Sequence, residues 1–88
     1  MEVKPPPTPR ERLEAIAKKV SLENEQPRRI INSRYTDAKA VRTRHQAYVE
    51  MFDAGFSITQ IARFCNKSYG GVRTVILLEL AARRAKRK

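Results

Sequence analysis

The chain has 88 residues, 19 of them Lys or Arg and 9 Asp or Glu, giving a formal net charge of +10 and a pI of about 10.5. That length allows one small domain with tails. No apolar run is long enough to cross a membrane, a single Cys excludes an internal disulfide, and a single His beside it excludes a zinc site of ordinary ligand number.

Residues 1–8 read as a flexible, Pro-rich tail, since MEVKPPP cannot form a helix. Thr8 and Glu11 have capping-box spacing and Pro9 suits the first helical position, so a helix is expected over about 9–20, with Leu13, Ile16, Ala17 and Val20 as its apolar stripe. Ser21 to Gln26 is polar and reads as a connection. Pro27 opens a short helix with Ile30 and Ile31 in the core. Residues 32–37, NSRYTD, have loop chemistry, and Arg34 and Tyr35 are their large side chains.

Asp37 can cap a helix over about 38–54, which Gly55 stops. Val41, His45, Tyr48, Val49 and Phe52 span its expected core face, extended by Ala40, Ala47 and Met51. Arg42 and Arg44 lie off that face, where a basic side chain reaches phosphate or simply solvent.

The stretch 57–77, SITQIARFCNKSYGGVRTVIL, reads as a helix-turn-helix. Ser57 and Gln60 form another capping box, and Ile58, Ile61, Ala62 and Cys65 recur at helical spacing. Asn66 tolerates the left-handed turn conformation, and Ser68 caps the second helix, whose buried stripe is Val72, Val75 and Ile76. Tyr69, Gly70, Arg73 and Thr74 then point outward, as the residues of a helix that enters the major groove do. That last helix begins near Ser68 or Gly70 and runs into the eighties. Leu77, Leu78 and Leu80 leave it apolar on more than one side, which suits core closure on one side and a homodimer surface on the other. Residues 83–88 form a basic tail suited to salt-sensitive phosphate contact through Arg83 and Arg84.

After Gly55 the only acidic residue is Glu79. This asymmetry favours a polyanion, nucleic acid before membrane. No phosphate-binding Gly loop and no catalytic triad spacing is present, so neither an enzyme nor a cofactor is expected. Cys65 falls on an apolar helix face and reads as core filler.

The order of elements resembles the C-terminal DNA-binding domain of the bacterial replication initiator DnaA, over about residues 13–80. LEAIAKKVSLEN, IINSR, VRTRHQA with Arg44 and Gln46, and SITQIARFCNKSYGGV carry the likeness. The resemblance implies a Trp-repressor-like fold. It implies an arginine of the basic loop, nearest Arg34, in the minor groove, and a phosphate contact by Arg44. The family's Asp-His-Thr-Thr signature is replaced by Ser68, Tyr69, Gly70 and Gly71, so the initiator's own DNA box is not implied, and its ATPase domain is missing.

The expectation is therefore an all-α bundle of four to five helices, with its domain over 9–82 and its helix-turn-helix over 57–80. It would bind double-stranded DNA sequence-specifically in a cytoplasmic, nucleoid-associated setting. Tyr69, Gly70, Arg73 and Thr74 would read bases, Arg34 would enter the minor groove, and Arg44, Lys67, Ser68, Arg83 and Arg84 would hold phosphates. A small transcriptional regulator of a phage or mobile element fits, as does an origin-binding or accessory replication factor. A charge-driven architectural or RNA-binding protein and a protein-interaction adaptor are the other classes.

Overall fold

Four α-helices and one short 3-10 helix make up the computed structural model, which describes residues 5–86. Helix α1 spans Pro9–Glu23, the 3-10 helix Arg28–Asn32, α2 Ala38–Asp53, α3 Ile58–Cys65 and α4 Tyr69–Ala85. All regular structure among the described residues is helical. No helix there is long and apolar enough to cross a membrane. Residues 5–8 of the Pro-rich stretch precede α1 without regular structure. Residues 1–4 of that stretch, and Arg87 and Lys88 of the basic tail, lie outside the described residues.

Each α-helix starts where its side-chain cap permits. The hydroxyls of Thr8, Ser57 and Ser68 and the carboxylate of Asp37 accept the N–H of the residue three positions on. At Ser57 the box is reciprocal, because Gln60 Oε1 accepts the Ser57 N–H at 2.9 Å. Gly55 ends the α2 turn with a φ of +101°, a conformation that L side chains rarely adopt.

The core draws on every element. Leu13, Ala17 and Val20 meet Ile31, then Ala47, Tyr48 and Met51 of α2, Phe56, Ile61, Ala62 and Cys65, and finally Val72 and Ile76 of α4. Cys65 is fully buried, and burial pushes its thiol up to about 11, which suits its role as filler.

Helix α1 continues past the expected end at Val20 to Glu23. Ser21 stays helical because its hydroxyl donates to the Ala17 carbonyl at 2.8 Å and needs no other partner. Asn24 then caps the helix, and Glu25 reverses the chain at a φ of 56°. The buried face of α2 is also rotated from expectation. Ala40, Thr43, Arg44, Ala47, Tyr48 and Met51 point inward, Val41, Val49 and Phe52 are half-buried, and His45 is exposed. Two polar residues enter the core because both are satisfied there: Thr43 donates to the Lys39 carbonyl at 2.8 Å, and Arg44 bonds the preceding loop.

Candidate nucleic-acid interface

Residues Asn66, Lys67 and Ser68 join α3 to α4. Asn66 adopts the left-handed conformation, with φ 55° and ψ 48°, which turns the chain directly after α3. Ser68 Oγ accepts the Gly71 N–H at 3.1 Å and starts α4 at Tyr69, so Gly70 and Gly71 both lie in its first turn. Val72 and Ile76 are buried against α3 and the core, while Tyr69, Gly70, Arg73 and Thr74 are exposed on the opposite side. Thr74 donates its hydroxyl to the Gly70 carbonyl at 2.9 Å and keeps its oxygen lone pairs as acceptors.

The cations around this face have no acidic partner within ion-pair distance, which is also true of Arg10, Arg12, Lys18, Arg29 and Arg42 elsewhere. Among the described residues, ion pairs join Lys19 to Glu50, Arg28 to Glu14, Lys39 to Glu25, and Arg83 to Asp53 and Glu79. Arg34, Arg63, Lys67 and Arg73 enter none of them. Arg63, Lys67 and Tyr69 line a hollow of about 430 Å³ between the outer side of α3 and the start of α4. Arg63 lies in the last turn of α3 and is exposed, and it is not among the site residues expected from the sequence.

Lys67 also borders a smaller hollow of about 230 Å³, shared with Arg44, His45, Ser68 and Gly71. Its ammonium donates to the Ser33 carbonyl. Partial burial, with Arg44 and Arg34 close by, pushes its pKa below the ordinary lysine value. The loop bearing Arg34 is thus brought against the turn before α4, although the two are far apart in sequence. Partial desolvation, with Arg44 adding to it, also pulls the His45 pKa below the ordinary histidine value.

Two of the expected phosphate ligands, Arg44 and Arg83, are otherwise engaged. Arg44 is only 9% exposed; it donates to Ser33 Oγ at 3.1 Å and to the Tyr35 carbonyl, so it faces the loop and not the solvent. Arg83 makes a bidentate pair with Asp53 at 3.0 and 2.9 Å, because α4 runs back along α2 and brings it there. Ser68 Oγ accepts the helix-cap N–H and keeps its O–H as a donor. Arg84 is exposed near the end of α4, away from its first turn. Of the apolar trio on α4, Leu77 and Leu78 are exposed, whereas Leu80 is half-buried against the core. Leu78 borders a groove of about 440 Å³ with Val49, Val75, His45, Glu79 and Arg83.

Chemically, the face formed by the 33–37 loop, the α3–α4 turn and the first turns of α4 offers guanidinium and ammonium donors, one aromatic ring and bare backbone. Its one exposed carboxylate, Asp37, caps α2, and no grouping of His, Cys, Asp and Glu able to hold a metal is present among the described residues. Such a set binds phosphate and hydrogen-bonds to planar acceptors. No family model, curated protein or solved structure matches the chain.

Proposed function

We propose that this chain binds double-stranded DNA sequence-specifically, with α3 and α4 acting as a helix-turn-helix and α4 as the helix that enters the major groove. The observation that carries this reading is the coincidence of two properties on one face. The outward side of the α4 start is exposed and free of carboxylates, and the cations around it are left without acidic partners. A protein gains nothing in stability from crowding unpaired cations, whereas a polyanion rewards it.

In this reading Arg73 is the principal base reader, because a guanidinium matches the two acceptors on the major-groove edge of guanine. Tyr69 and Thr74 flank it one helical turn apart or less, and Gly70 lets the backbone come close. Lys67 and Arg63 lie where phosphates would border the groove, and Arg34 approaches the adjacent minor groove. Transcriptional regulation is the biological role favoured; origin binding or accessory replication function uses the same face. Leu77 and Leu78 support a homodimer through α4 as a second feature, which would give a two-fold symmetric site.

The test is selection from a random duplex pool, followed by fluorescence-anisotropy titration at physiological salt with excess nonspecific competitor. An enriched site bound on the order of a thousandfold or more above random duplex supports the proposal. Binding without enrichment that vanishes as salt rises makes the charge alone the function, and no binding even at low salt favours a protein-interaction role.

A further inference from the structure

The 33–37 loop has little of its own to hold it in place. Arg34, Tyr35, Thr36 and Asp37 are all exposed, and no backbone–backbone hydrogen bond supports residues 34–36 among the described residues. Its order comes from behind. One nitrogen of the Arg44 guanidinium reaches Ser33 Oγ at 3.1 Å and another reaches the Tyr35 carbonyl, so the fork grips the chain on both sides of Arg34. Lys67, from the turn before α4, takes the Ser33 carbonyl. Ser33 is fixed in turn by its hydroxyl, which donates to the Ile30 carbonyl at 2.8 Å.

These are charge-assisted bonds, stronger than neutral ones. They join three elements, α2, the α3–α4 turn and the loop, at one point. The planar fork explains why the α2 residue is arginine: an ammonium cannot span two acceptors on either side of a residue.

We propose that Arg44 and Lys67 are positioning residues for Arg34. They set the loop against the turn before α4 so that Arg34 faces the same duplex as Arg73, and Arg44 does not itself hold phosphate. The inference rests on the DNA-binding reading above and departs from the phosphate role that the family resemblance implied for Arg44.

A double-mutant cycle on the full chain tests it, read by anisotropy with a labelled duplex, either the enriched site or a random 20-mer, across a salt series. Circular dichroism melts establish that each variant folds. Arg44→Lys keeps the charge and loses the fork. It is expected to weaken binding about fivefold or more in the otherwise unchanged chain, yet less than about twofold in an Arg34→Ala background. Ser33→Ala removes no charge and is expected to show the same dependence on Arg34, and it carries the test if Arg44→Lys does not fold.

The proposal is overturned if Arg44→Lys binds like the unsubstituted chain, or if it costs the same with and without Arg34. It is also overturned if Arg44→Met lowers the salt slope by about 0.9 in the Arg34→Ala background, the mark of a direct phosphate contact. Failure of the unsubstituted chain to bind any duplex at low salt would remove the DNA-binding reading itself and this inference with it. That result is separate from the others because no variant is needed to see it.

Discussion

Along α1 and α2, Glu14 receives two bonds from Arg28, Glu50 lies against Lys19, and Asp53 takes the Arg83 fork, whereas Arg34, Arg63, Lys67 and Arg73 on the α3–α4 side meet no carboxylate. Both sides are built on the same core and both are basic. What separates them, among the described residues, is the carboxylates: those of Glu14, Glu50 and Asp53 pair part of the charge on the first side, where Arg10, Lys18 and Arg42 stay unpaired, and the second side has none to offer at the start of α4. The first arrangement adds modestly to stability. The second opposes it slightly and is retained only if something outside the molecule answers it.

The largest effect should fall on both sides at once. Ile31 is fully buried where the 3-10 helix meets α1 and α2, and Ile31→Ala should cost about 2–5 kcal/mol, a large part of a small domain's stability. Urea unfolding would measure it, and survival of duplex binding in a chain that has lost its cooperative transition would show that the two sides do not share a core.

Arg73→Ala should separate the two sides. It is expected to cost about 1–3 kcal/mol in binding the enriched duplex and to relax selectivity at one position, with the unfolding midpoint unchanged. Equal loss on enriched and random duplex would end its assignment as a base reader. Asp53→Asn is the converse change. It removes the partner of an exposed pair, so stability should fall by less than about 1 kcal/mol while duplex binding holds or tightens. A marked loss of binding would mean that the Asp53–Arg83 tie supports the DNA face.

A further modest effect is with pH. Arg28 holds Glu14 below the usual carboxylate range and Arg83 does the same for Asp53; at Glu50 burial works upward, but the bonds from Lys19 and Gln46 prevail. All three bind protons less readily folded than unfolded. Their contribution is therefore fully present above the unfolded values, about pH 5 and higher, and is lost as pH falls through the folded ones. Because each pair is exposed and solvent-screened, the summed loss should be about 1–2 kcal/mol. Melting temperatures that stay flat below pH 5 would contradict the pairing.

Much of this architecture was legible because its punctuation is local. Thr8, Asp37, Ser57 and Ser68 announce helix starts by their own hydrogen-bonding chemistry, and Asn66 and Gly55 announce turns by their tolerance of positive φ. The outward set on α4 followed from helical spacing alone. What the residues did not reveal depends on partners distant in the chain. Arg44 read as lying off the core face; it is buried because the 33–35 loop receives its guanidinium, and Thr43 is buried beside it with its hydroxyl on the Lys39 carbonyl. Arg83 read as tail charge until the path of α4 along α2 brought it to Asp53. His45 read as core, but α2 turns Ala40, Ala47, Tyr48 and Met51 inward and leaves it exposed.

Gly70 deserves a last consequence of its own. A Cβ built there meets nothing within 4 Å, so the first turn of α4 holds an empty place at the centre of its outward face. A Cβ fits without disturbing a neighbour, and glycine is a poorer helix former than alanine by about 1 kcal/mol. The position is thus an addressable slot: a library of all residues at 70 would start from scaffolds at least as sturdy as the present one, and each member would sample a different chemistry beside Arg73. Altered preference could then be selected there without first repairing the protein that carries it.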